Sequence, residues 1–215
     1  MKIAITGATG MVGEGVLFEC LDNSSVTEVL IIGRKPYDLT HPKLDELIVK
    51  DFSEISNHSE LLKNYDGCFF CAGVSSVGEN EDNFTKKTYD FVVPFATALL
   101  QINPAMVFIY VSGNRTDSTE RGKVMWARVK GRTENALMKL PFKGQYNFRP
   151  AIMMGSKGQK NIKTIYKILG PLIAPFFPAK TLKLKQVGQA MINAVSKGYP
   201  KQILEVDDII QLAKN

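Results

Sequence analysis

Residues 3–13 read Ile3-Ala4-Ile5-Thr6-Gly7-Ala8-Thr9-Gly10-Met11-Val12-Gly13, and this stretch decides the fold. A short apolar run meets glycines at 7, 10 and 13, then passes into a helical pattern of Val12, Val16, Leu17, Cys20 and Leu21. The order is strand, glycine turn, helix. Glycine lets the backbone turn tightly and come close to a pyrophosphate, and the following helix offers unpaired N–H groups and a positive dipole end to the anion. A glycine triplet is a weak signal alone, because any tight strand-to-helix turn can use it, so the surrounding sequence must supply a βα context.

That context extends outward. Val26 to Ile32 is apolar and β-branched and is closed by Gly33, the pattern of a strand buried on both faces. Leu44 to Val49 reads as a third strand, Cys68 to Ala72 as a fourth closed by Gly73, Met106 to Val111 as a fifth leading into Ser112, and Tyr146 to Phe148 as a sixth ending in Arg149-Pro150. Between them, Phe84 to Leu100 is expected to be a helix with Phe84, Thr88, Phe91, Val92, Phe95 and Leu99 on one face and Pro94 kinking or breaking it, and a second helix is expected over 123–139. Leu61 and Leu62 belong to a short helix after strand three. Alternating strands and helices predict an α/β fold: a doubly wound parallel Rossmann sheet with helices on both faces, in a single domain over 1–215.

Past Pro150 the alternation loosens, and 151–185 is expected to form a small C-terminal, substrate-side lobe. Ile162, Ile165, Tyr166 and Leu169 lie on one helical face, the apolar stretch 170–179 is broken by prolines and suits a lid or pocket wall, and helices are expected at 187–195 and 207–213. Ligands of such sheets bind at the carboxyl ends of the strands, which gathers Gly7 to Gly13, Arg34, Asp51, Gly73, Ser112 and Pro150 on one rim.

The end of strand two faces the adenosine ribose in dinucleotide folds. A carboxylate there suits the 2′-hydroxyl of NAD, and an arginine suits the 2′-phosphate of NADP. This chain reads Gly33-Arg34-Lys35, with no carboxylate, so the expected cofactor is NADP(H).

The net charge of +6 is unevenly spread: no acidic residue falls between Glu134 and Glu205, where twelve Lys and Arg do. A solvated lysine-rich face is the plain reading, and contact with an anionic membrane surface the alternative. No nucleic acid is expected, since aromatic stacking platforms are not interleaved with the lysines. Cys68 and Cys71 sit three apart on a strand and so point to opposite faces, and Cys20 is remote in sequence. Neither a metal site nor a disulfide framework is expected. No basic leader precedes strand one, which makes the cytoplasm the expected compartment.

With these residues in place, the chain resembles the short-chain dehydrogenase/reductase superfamily in its atypical, epimerase/dehydratase-like form. Thr6 to Gly13 matches the cofactor turn, including Thr6, Thr9, Met11 and Val12. Asp51-Phe52 matches the adenine-side pair, Cys71-Ala72-Gly73 the small-residue end of strand four, and Arg149-Pro150 with Ala151 the element beside the nicotinamide. The helix from Trp126 to Glu134 and the closing helices are most similar to the Tat-interacting-protein branch. The resemblance implies an oxidoreductase in which a serine orients a carbonyl, a tyrosine transfers the proton, and a lysine lowers the tyrosine pKa and holds the ribose. Ser112 matches the serine and Lys130 the lysine, but Trp126 stands at the tyrosine position. An indole N–H donates a hydrogen bond yet does not titrate near neutral pH, so the usual proton relay is missing. Tyr110 or Tyr89 could supply the proton, an acceptor such as a quinone or activated alkene could need little help, or the chain could bind NADP(H) without turnover as a regulatory module.

Overall fold

The computed structural model describes residues 1–156, 158–162 and 181–214. Strands form where the apolar runs fall: β1 (Lys2–Thr6), β2 (Glu28–Gly33), β3 (Leu44–Ile48), β4 (Gly67–Phe70), β5 (Val107–Val111) and β6 (Gly144–Phe148). Three short strands follow, β7 (Ile152–Met154), β8 (Thr181–Lys183) and β9 (Ile203–Leu204). The helices are α1 (Met11–Asp22), α2 (Ser59–Leu62), α3 (Glu81–Lys87), α4 (Tyr89–Ile102), α5 (Met125–Leu137), α6 (Leu184–Lys197) and α7 (Val206–Lys214), with a 3₁₀ segment at Phe52–His58.

The main sheet runs β3-β2-β1-β4-β5-β6-β9 with every pair parallel. The chain starts at the centre, winds outward to β3, then crosses back to β4 and winds the other way. The strand order therefore reverses between β1 and β4, the place where such sheets open to ligands.

Alternation along the strands builds two cores. Ile3, Ile5, Val29, Ile31, Phe69, Ile109 and Phe148 pack with α1, α6 and α7, whereas Ala4, Leu30, Ile32, Phe70, Phe108 and Tyr110 pack with α4 and the 3₁₀ segment. Each fully buried aromatic or branched side chain contributes about 1.5–3 kcal/mol, so both helix layers are held by apolar burial rather than by surface charge. Cys68 belongs to the second core and Cys71 packs against the first, which separates them across the sheet.

The expected helix over Phe84 to Leu100 is two helices. It breaks at Thr88 (φ −123°, ψ −79°), not at Pro94, which sits inside α4. Pro94 and Asp90 are both exposed, so water can satisfy the Asp90 carbonyl that loses its helical partner. Thr88 is buried, and its carbonyl accepts the Val92 N–H that starts the new helix.

In the C-terminal region, β7 pairs with β8 in a separate parallel ribbon, and Leu182 of β8 is buried in the main core. The lobe is thereby tied to the domain. The expected helical face beyond Ile162 and the proline-broken stretch 170–179 lie outside the described residues, and Ile162 itself is irregular.

Candidate cofactor site and reacting end

The turn after β1 is shaped by two glycines. Gly7 has φ +73°, and a Cβ on it would lie 2.5 Å from the Ala72 backbone nitrogen, where the continuation of β4 passes. A Cβ on Gly13 would lie 2.2 Å from the Gly7 carbonyl oxygen, so only glycine lets α1 sit this close to the turn. The Gly7 carbonyl accepts the Gly10 N–H at 2.9 Å, and Gly10 in turn accepts the Glu14 N–H at 2.9 Å. Gly10 is the N-cap of α1 and provides no side-chain cap. The N–H groups of Met11, Val12 and Gly13 are thus left at the helix mouth, where an anion fits them.

A cavity of about 820 Å³ opens from this turn to the end of β2. Gly7, Thr9, Gly10, Arg34, Lys35, Phe52, Cys71, Ala72 and Gly73 all line it. Thr6 stands behind the turn, fully buried, its hydroxyl oxygen accepting the Ala72 N–H at 3.3 Å. Asp51, next to Phe52, is exposed and accepts the Ser53 N–H at 2.8 Å to cap the 3₁₀ segment, which holds its carboxyl below the usual range. Val74 and Lys87 line the cavity without having been singled out in the sequence, and Phe91 joins them. Phe91 was legible only as helix-face core, and its ring meets Phe52 edge-on at 4.9 Å. Arg34 and Lys35 are exposed, and among the described residues no carboxylate pairs with either, whereas Lys87 is paired with Glu79.

The candidate reacting end lies where β5 and β6 finish. Ser112 is buried, and its hydroxyl donates to Glu134, with the Phe148 carbonyl 3.2 Å away. Glu134 is wholly buried and is gripped by Arg149, whose Nε lies 3.0 and 3.2 Å from its two oxygens and whose Nη2 also donates to it. Arg149 reaches on to Glu205 at 3.0 Å and Ser118 at 2.6 Å. Lys130 Nζ donates to the Ser112 carbonyl oxygen. Trp126 is half-buried and sits one turn before Lys130, so Trp126, Lys130 and Glu134 share a helix face at spacing four. Pro150 is buried with its carbonyl accepting the Asn114 N–H at 2.9 Å, and Ala151 packs against the first core.

This arrangement alters three sequence-level expectations. Ser112 has one hydroxyl proton and spends it on Glu134, so in this state it cannot also donate to a substrate carbonyl. Tyr110 is packed in the core, where burial and then Glu134 push its phenol well above the ordinary range. Tyr89 holds the Arg132 guanidinium over its ring at 4.3 Å. Glu134 and Arg149 were visible only as members of quoted motifs. The useful signal was the i, i+4, i+8 spacing of Trp126, Lys130 and Glu134.

Burial brings the Lys130 ammonium down to about 8 from 10.5, and Glu134 opposes that shift. The sign is that of a group whose charged form is disfavoured in the fold. Its cost to stability is fully present below pH 8 and disappears as pH rises toward 10.5, because there the unfolded chain binds the proton more tightly. The stability of Lys130→Met relative to the native chain is therefore expected to be greatest at pH 7 and to decline between pH 8 and 10.5. Urea unfolding at pH 7, 8.5 and 10 checks this, and a difference independent of pH would refute it.

A glycine cradle at the switch point of a doubly wound parallel sheet defines a Rossmann protein built for a nicotinamide dinucleotide. The chain belongs to the NAD dependent epimerase/dehydratase family, whose model matches residues 3–118. It is 24% identical over 220 residues to protein HTATIP2 of Rattus norvegicus, a match covering 100% of this chain and 90% of that one, in keeping with the Tat-interacting-protein resemblance. It is 31% identical over 143 residues to the leucinostatins biosynthesis cluster protein T of Purpureocillium lilacinum. That match covers 65% of this chain but 52% of the relative, so it spans about half the relative's length. The fold matches the short-chain dehydrogenase/reductase YIR035C of Saccharomyces cerevisiae with a TM-score of 0.66 at 19% identity, covering 99% of this chain and 98% of that one. Among the described residues no helix is long and apolar enough to cross a membrane.

Proposed function

We infer that the protein is an NADP(H)-dependent oxidoreductase acting on a small apolar carbonyl or quinone-type substrate. The observation that carries the cofactor choice is the pair Arg34 and Lys35, without a carboxylate partner among the described residues, lining the same cavity as the Gly7 to Gly10 turn that leads into α1. A 2′-phosphate placed there meets a guanidinium and an ammonium and no carboxylate. Lys130, Ser112 and the Pro150 turn surround the end of the sheet where the nicotinamide of a bound cofactor would lie, and NADPH supplies hydride when bound. Purified protein is expected to bind NADPH at least tenfold more tightly than NADH, and Arg34→Glu to shrink that ratio by one to two orders of magnitude by setting a carboxylate against the phosphate. Fluorescence titration with both nucleotides reads this directly, and equal affinities in the native chain would sink the assignment.

Trp126 favours a second reading, a non-catalytic NADP(H)-binding module, because it puts an indole where a titrating phenol is needed. Hydride transfer to a panel of quinones, aldehydes and ketones separates the two.

A further inference from the structure

Reducing a carbonyl requires a proton as well as a hydride, and the geometry disqualifies most of the groups that could give it. Trp126 does not titrate near neutral pH. The Ser112 proton is committed to a wholly buried carboxylate that Arg149 grips. Tyr110 lies among the rings of the second core, and Tyr89 stacks under Arg132, two residues on from Lys130 and so on another side of α5.

Lys130 remains. Its ammonium spends one of three protons on the Ser112 carbonyl, which fixes where Nζ sits and leaves two N–H groups to donate. It projects from the same helix face as Trp126, one turn on, beside the end of β5. Resting on the oxidoreductase reading, we propose that Lys130 is the proton donor of this site, delivering a proton from Nζ to the oxygen of a small carbonyl substrate.

The step balances. The substrate carbon gains the hydride, the π pair of its C=O takes the Lys130 proton to become the O–H bond, and Lys130 is left as a neutral amine that water reprotonates. The indole of Trp126 then serves as an apolar wall beside the reacting oxygen.

The surroundings suit that role. Glu134 on the same helix favours the charged amine, and Arg149 at the end of β6 holds that carboxylate in an ion pair. From the other packed elements come Tyr110 of β5, Tyr89 of α4 beneath Arg132, the Arg128–Glu81 pair joining α5 to α3, and Asp117 of the loop after β5. Burial brings Lys130 to about 8, close enough to working pH for both donation and recovery.

The test uses the full chain and single-turnover oxidation of saturating NADPH against a small aldehyde and a quinone from pH 6 to 9.5. The native aldehyde rate is expected to fall above a midpoint near 8. Lys130→Arg keeps the charge but cannot release a proton, and it should lose about 10²–10⁴-fold in rate together with the pH step. Lys130→Gln should behave alike, and the quinone rate should suffer less in both. In parallel, native protein carrying ¹³Cε-lysine is titrated without nucleotide. The resonance missing from both variants is that of Lys130, and its midpoint should match the kinetic one. A Lys130→Arg protein that keeps the native rate, or a Lys130 resonance with an ordinary lysine midpoint, overturns the assignment. No turnover of either acceptor by native protein that still binds NADPH overturns the oxidoreductase reading and this role with it. Turnover retained in Lys130→Arg overturns only the role of Lys130.

Discussion

Replacing Arg149 by methionine is expected to destabilise the fold by about 3–5 kcal/mol, the cost of leaving a buried charge without its partner. Glu134 is wholly buried, and Arg149, nearly so, donates to both of its carboxylate oxygens. Removing the guanidinium strands that carboxylate and breaks the contacts that Arg149 makes to Ser118 and Glu205. The Ser112 hydroxyl alone cannot stabilise the charge left behind. A urea series at pH 7 should show a much lower midpoint with an unchanged slope. The double variant Arg149→Met/Glu134→Met should recover most of the loss, because removing both members of a buried pair is often close to neutral. A single-variant loss under about 1 kcal/mol would mean that solvent reaches Glu134 and that the pair is no anchor.

Much of the fold was legible because it depends on local pattern. The glycine turn, the β-branched runs and their alternation with helical faces identify a parallel doubly wound sheet without any long-range information. What stayed hidden depends on tertiary context. The break at Thr88 follows from where α4 must start to lay Val92, Phe95 and Leu99 on the sheet, and Pro94 obscured it by being a stronger local breaker. The strands β7, β8 and β9 have three, three and two residues, too few for a period to show. In the site, sequence placed Ser112 at the right strand end but could not say where its proton points. That direction depends on Glu134, brought over by α5, and on Arg149, brought in by β6, two charges that look like ordinary surface residues until the crossover joins them. The cations Arg34 and Lys35 were legible because the strand end alone positions them.

Gly13→Ala is expected to abolish useful cofactor binding, weakening NADPH at least 100-fold, and to destabilise the chain by about 1–3 kcal/mol through overpacking. The added methyl would sit 2.2 Å from the Gly7 carbonyl oxygen, a backbone atom with no rotamer to escape into. Gly7 cannot yield, since it is at φ +73° and pressed against the Ala72 backbone. Nor can α1 retreat freely, because a Cβ on Gly15 would already lie 2.7 Å from the Leu184 side chain at the start of α6. The strain must therefore open the turn itself, moving the Met11, Val12 and residue-13 N–H groups away from the phosphates they are poised to hold. A displacement of about 1 Å in such positioning groups is enough for a hundredfold effect. Gly10→Ala provides the graded comparison: its Cβ would lie 3.3 Å from the same oxygen, which a shift of a few tenths of an ångström relieves, so its loss should be clearly smaller. NADPH titration and urea unfolding of both variants measure the two effects separately. If Gly13→Ala binds NADPH as the native chain does, the helix mouth is not where the pyrophosphate sits.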